Sequence, residues 1–243
     1  MQWGALIALV GTFAALLILE RRVHQRMQQV LLRSTGNPTL ATVLYALVLL
    51  PGVALHELSH VLAARLLGVR VRKLSLRPER LRGGVVRFGY VEVLRSDDLR
   101  AALIGLAPLA TGIAALALVG THVFGLDQTW RALMTTDEPT EAVLHIARWV
   151  IALAQAPDAW LWLYAAFAIA NTMLPSASDL QPWSSNPLLM LALVGAAALA
   201  LNAIIALPWA YWFALLFAFA ALVNAAALVM LSLLSRLLDA LPR

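Results

Sequence analysis

His56, Glu57 and His60 stand in the order His-Glu-x-x-His, near the end of an apolar run that begins at Leu40. On a helix, positions i and i+4 share a face, so the two imidazoles can close on one metal ion with Glu57 beside them. Between 40 and 67 the side chains that change or carry charge near neutral pH are His56, Glu57, His60 and Arg65. Ionisable groups at membrane depth are costly and usually functional. The blander reading is a polar helix face whose histidines are hydrogen-bonded to neighbouring helices. It accounts less well for three such groups within five residues.

Catalytic zinc commonly takes three protein ligands and keeps its fourth position open. Two histidines therefore need a partner, and Asp179 is the best placed. It follows an apolar span broken by Pro175, where non-helical backbone can turn back into a polar cavity. The competing reading is an ordinary loop aspartate beyond a helix end. Geometry favours the ligand. From 40 to 55 a helix advances about 24 Å, and from 159 to 175 about 25 Å, so His56 and Asp179 both lie toward the exit ends of their spans. With one span between them, the two helices run parallel and both exits meet the same membrane face. That parity fails if 141–156 also spans.

The elements that must position these groups follow from composition. The chain of 243 residues is 62% hydrophobic and 13% charged, with a mean hydropathy of +0.81. A soluble domain of this size does not bury so much apolar surface, so an all-α polytopic membrane protein is expected. At roughly 20 apolar residues per span, about six helices fit. They are 3–19, 40–67, 101–119, 159–175, 188–207 and 209–234, with Trp160, Trp162, Trp209 and Trp212 as interfacial aromatics. The absence of cysteine excludes disulfides and thiolate ligands. The net charge of +5 follows from basic membrane loops, and no nucleic-acid partner is needed to explain it.

Three connecting segments have character. The stretch 20–38 carries Arg21, Arg22, Arg26 and Arg33 among apolar residues and reads as an amphipathic interfacial helix. The stretch 141–156, with His145 and Arg148, is too short and too charged for a comfortable span and is also placed in the interface. Residues 69–94 alternate on both sides of Gly83-Gly84, as a β-hairpin does. After it, Ser96-Asp97-Asp98 offers an N-cap for the third span.

The sequence around these groups resembles the site-2 protease family of intramembrane zinc metalloproteases. Its marks are His-Glu-x-x-His in a membrane helix, then, more than a hundred residues on, Asn171-x-x-x-Pro175-x-x-x-Asp179. The resemblance covers roughly 40–185. It implies that His56, His60 and Asp179 bind one zinc per chain, that Glu57 is the general base, and that Asn171 orients substrate backbone. The 69–94 segment is similar to the family's membrane-associated hairpin, and Ala107-Pro108 resembles the Gly-Pro of its next core helix. Two departures stand out. The family's pattern puts proline three residues after the asparagine and glycine directly after the aspartate, whereas here Pro175 is four on and Leu180 follows Asp179.

The expected function is hydrolysis of peptide bonds in a membrane-protein substrate, a single-span helix, within or near the bilayer. Glu57 takes a proton from the attacking water and returns it to the leaving amine. A helical substrate hides its scissile carbonyl, so strand addition to the hairpin edge is the available way to hold it extended. Val85, Val86, Phe88 and Tyr90 are the expected contacts. A hairpin bound to anionic lipid through Arg82 and Arg87 is the competing reading.

The main alternative function is a non-proteolytic metal-ion transporter or scaffold with the same ligands. Transport favours further ligands leading to both faces, but His122 and His145 sit near span ends, where solvated histidine is the plainer reading. The expected organisation is 1–38 as a first span with a basic segment, 39–185 as the metalloprotease core and 186–243 as a C-terminal pair of spans. Basic residues crowd both 20–38 and 69–100. The larger count in 69–100 favours that side as cytoplasmic, in what is expected to be a bacterial cell membrane.

Overall fold

In the computed structural model the described residues are 2–76, 79–80, 86–87, 89–136, 138–155, 157–188, 191–192, 194–196 and 208–240. Helices dominate. In chain order the elements are α1 (Gln2–Thr35), α2 (Pro38–Leu66), β1 (Val71–Ser75), β2 (Glu79–Arg80), β3 (Val86–Arg87), β4 (Tyr90–Val93), α3 (Asp98–His122), α4 (Leu126–Thr135), α5 (Pro139–Gln155), α6 (Ala159–Ala170), α7 (Gln181–Ser185) and α8 (Pro208–Ala240). Among the described residues, three helices are long and apolar enough to cross a membrane: Pro38–Leu66, Asp98–His122 and Ala210–Ala240. The chain is therefore a helical membrane protein. The span expected at 188–207 lies largely outside the described residues.

One expectation is corrected at the start of the chain. The stretch 20–38 is not a separate interfacial helix, because α1 runs unbroken from Gln2 to Thr35. Neither glycine nor proline occurs from 12 to 35 to stop it. Its second half buries Val23, Met27 and Val30 at helical spacing and leaves Arg21 and Arg22 exposed. Gly36, with φ of 60°, ends the helix. Asn37 caps the next one by accepting bonds from the Thr39 and Leu40 amides. Helix α8 lies parallel to α1. Phe13 meets Phe217 with ring centroids 5.1 Å apart, and farther along both helices Arg33 reaches Asp239 at 3.0 Å.

Helices α2 and α6 are also parallel. Tyr164 Oη donates to the Val48 carbonyl at 3.0 Å, and His56 Nδ1 lies 2.6 Å from the Thr172 carbonyl. Both pairs are 116 residues apart in sequence. Gly52 sits between them. A β-carbon there would collide with the Ala168 backbone and the Thr172 hydroxyl, so glycine is what permits the close approach. Helix α3 runs the other way. From its start toward its middle, Ala102, Gly105 and Gly112 approach Trp183, Asp179 and Met173 in turn.

Helix α6 is shorter than the expected span, ending at Ala170 rather than near Pro175. Proline clashes with the carbonyl four residues earlier, here Asn171, so the helix has to stop before the proline is reached. The hairpin expectation holds in outline. Two antiparallel ladders form, β1 with β4 (Ser75 opposite Tyr90) and β2 with β3 (Glu79 opposite Arg87), with an irregularity between Val71 and Lys73. Gly83 and Gly84 lie outside the described residues. Asp97 caps α3 as expected, accepting from the Arg100 amide at 3.0 Å. That bond holds its carboxyl below the ordinary aspartate range.

Helices α4 and α5 fill the connection between α3 and α6. The sequence pattern marked the second of them and not the first. Trp149 Nε1 donates to the Phe124 carbonyl at 2.8 Å, and its ring packs edge-on against Phe219 with centroids 5.8 Å apart. The main core gathers there: Leu16, Leu116, Phe124, Leu126, Trp149 and Phe219, all buried.

Candidate metal centre

His56 and His60 lie one turn apart near the end of α2, and Asp179 lies in the turn that follows α6. The structure brings the three together. His56 Nε2 and His60 Nε2 are 3.2 Å apart. Asp179 Oδ2 lies 3.5 Å from the first and Oδ1 3.3 Å from the second. These atoms form a group that can hold a metal ion.

The orientation of the rings is set by backbone. His56 Nδ1 faces the Thr172 carbonyl at 2.6 Å, and His60 Nδ1 faces the Ile104 carbonyl at 2.8 Å. A carbonyl oxygen only accepts, so each Nδ1 carries the proton and donates. In the neutral rings each Nε2 is then a lone pair. Two lone pairs and a carboxylate thus point at one spot, an arrangement that calls for a cation.

Asp179 is held from its own turn. Its Oδ2 accepts from the Ser176 amide at 2.7 Å and from the Ser176 hydroxyl at 2.5 Å. Burial pushes its carboxyl up. The neighbouring His56 and His60 rings and the hydrogen bonds from Ser176 outweigh that and hold it well below the usual carboxylate range. Gly105 makes room on α3, since a β-carbon there would strike the Asp179 carbonyl.

Glu57 is buried, at 7% exposure, and lines the same cavity, which measures about 520 Å³. The backbone of Gly89, just before β4, crosses directly over it: a β-carbon at Gly89 would lie 2.8 Å from Glu57 Oε1. Tyr90, Val91 and Val93 continue the wall. Among the described strands β4 pairs with β1 alone.

The expected substrate contacts fare differently. Tyr90 borders the cavity, with its ring buried and Lys73 Nζ 4.9 Å from the ring centre. Val86 is in β3, while Val85 and Phe88 lie outside the described residues. Asn171 turns away from the cavity. Its amide donates to Phe167 O and to Asn224 Oδ1 on α8, both at 2.8 Å, and its Oδ1 is buried with no hydrogen-bond partner among the described residues. Sequence reasoning did not single out Thr172, Ile104, Ser176 or Asn224. The first two act through backbone carbonyls, which carry no residue-type signal. His24, which no motif marks, meets Tyr45 Oη through Nδ1 at 2.5 Å, remote from Asp179 and its partners.

No family model matches the chain, and no curated protein or solved structure matches it either.

Proposed function

We propose that this chain is an intramembrane zinc metallopeptidase of the site-2 protease type, cutting a single-span membrane-protein substrate at or near the bilayer. The observation that carries this reading is the committed Nδ1 of both histidines, which leaves two Nε2 lone pairs converging on a carboxylate beside a buried glutamate.

The donor set fits zinc. Tetrahedral arms of about 2.05 Å give ligand-to-ligand edges of about 3.3 Å; the two Nε2 atoms are 3.2 Å apart, and one carboxylate oxygen of Asp179 lies near each of them. Calcium takes about six to eight oxygen ligands, which two imidazole nitrogens and one carboxylate do not supply. Zinc there would supply Lewis-acid polarisation of water and of the peptide carbonyl. The remaining work falls to the chain. Glu57 accepts the proton of the attacking water and delivers it to the leaving amine, a role worth about 10²–10⁴ in rate. The edge of β4 beside the cavity receives the substrate as an added strand, which frees the scissile carbonyl from its helical bond.

In the same reading, the first part of α1, the stretch 159–175 that contains α6 and the segment 188–207 also cross the bilayer, giving about six spans. The hairpin side faces the cytoplasm of a bacterial cell.

Metal analysis of the purified protein, paired with cleavage of single-span substrates, tests the proposal. One zinc per chain is expected. Glu57→Gln should retain that zinc and lose cleavage by about 10²-fold or more. Protein that cannot be reloaded with zinc, or a Glu57→Gln variant that cleaves like wild type, overturns it.

A further inference from the structure

A second cavity, of about 540 Å³, opens between the end of α3, the following turn, α4 and α5. That volume lies in the usual range for ligand sites. It is at the far end of the molecule from the metal cluster, because α3 runs from Ile104, beside His60, to His122, which helps line the second cavity. Its wall carries His122, Gln128, His145, Arg148 and Gln155. No Asp or Glu lines it among the described residues.

Helical spacing explains the composition. His145, Arg148, Trp149, Ala152 and Gln155 recur at three and four residues, so one face of α5 turns to the cavity. Trp149 fixes that face through its bond to the Phe124 carbonyl. The side chains of Arg148, His145 and Gln155 make no hydrogen bond or ion pair among the described residues. His122 holds Thr121 Oγ1 and the Leu118 carbonyl through Nδ1, which leaves Nε2 as its uncommitted ring nitrogen. The nearby carboxylate on α4, Asp127, is taken by Arg131 at 3.5 Å.

The surroundings are apolar. Leu118, one turn before His122, is 60% exposed, and Val143, Leu144, Val150 and Ile151 are exposed on α5. A basic cavity at the end of a membrane-spanning helix, rimmed by lipid-facing side chains, matches one kind of ligand. It needs an anionic group and apolar tails together.

We infer that this cavity binds the phosphate of an anionic phospholipid, with Arg148 as the principal anchor, His122 and His145 beside it, and the acyl chains lying over α3 and α5. A guanidinium presents the fork that phosphate oxygens accept; His122 donates through Nε2 when the ring carries both protons, a state the anion favours, and the His145 ring offers a second such donor. The inference is independent of what the metal cluster does.

The test uses the full chain, delipidated in detergent and titrated with phosphatidylglycerol, phosphatidylcholine or inorganic phosphate, with bound molecules counted by native mass spectrometry. Wild type should hold one phosphatidylglycerol at least tenfold more tightly than phosphatidylcholine. Arg148→Gln should lose that preference, and the double change His122→Gln with His145→Gln should weaken it several-fold. Arg236→Gln removes the same charge from an exposed position of α8 outside the cavity and should bind like wild type. Unchanged melting temperatures separate lost binding from lost folding; should Arg148→Gln not fold, the double histidine variant decides. Equal retention of both lipids, or a preference that survives these changes, overturns the inference. Inorganic phosphate binding as tightly as the lipid with the same Arg148 dependence overturns the lipid assignment.

Discussion

At the level of single residues, the cluster depends on proton placement. His56 and His60 can offer Nε2 to a metal only because Thr172 and Ile104 carbonyls take the Nδ1 protons. Asp179 supplies the one formal negative charge of the three. Asp179→Asn keeps the size and the Ser176 contacts but loses the anion, so zinc affinity should fall by at least about 10–100-fold, the range that outer-shell losses alone produce. Competition with a chelator measures it. Asp158→Asn, at the other end of α6, should bind zinc normally. Asn224 is the next partner outward. Fully buried on α8, it accepts from Asn171 and donates to Ala220 O. Asn224→Leu would leave the Asn171 amide with one partner fewer in an apolar interface. A stability loss of about 1–3 kcal/mol is expected, read as a lower melting temperature. The histidines, Glu57 and Asp179 were legible in the sequence because motif and spacing name them. Asn224 was not, since nothing in a Leu- and Ala-rich helix says which neighbour its one amide will meet.

At the level of elements, close approach governs α2 and α6. Gly52 leaves room for the Ala168 backbone, whereas Gly11 on α1 has nothing within 4 Å of where a β-carbon would sit. The same substitution should therefore have opposite signs. Gly11→Ala gains helix propensity and should stabilise by up to about 1 kcal/mol. Gly52→Ala overpacks the contact and should cost about 1–3 kcal/mol, with weakened zinc binding because Thr172 moves with Ala168. Thermal unfolding of both variants checks the pair. The hairpin and the cap at Asp97 were readable because alternation and a short polar start are local signals. The lengths of α1 and α6 were not. Arginines in α1 read as a change of environment when only one face differs, and Pro175 marks a break whose position is set four residues upstream.

At the level of the whole molecule, composition alone pointed to a membrane protein, and among the described residues three helices have the length and hydropathy to cross. Helices α2 and α6 must run the same way for His56 and Asp179 to meet, and the contacts Tyr164–Val48 and His56–Thr172 set them parallel. Those contacts share one separation in sequence, 116 residues, and this has a consequence for length changes. The two helices are locked in phase, so a single residue inserted into α6 rotates everything beyond it by about 100°. An alanine inserted after Ala166 should carry Thr172 and Asp179 off their partners and empty the protein of zinc. The same alanine placed between Pro157 and Asp158, ahead of the first shared contact, should leave the phase intact and the zinc bound. Zinc content of the two insertion variants, measured side by side, tells whether the chain counts residues here or merely spans a distance.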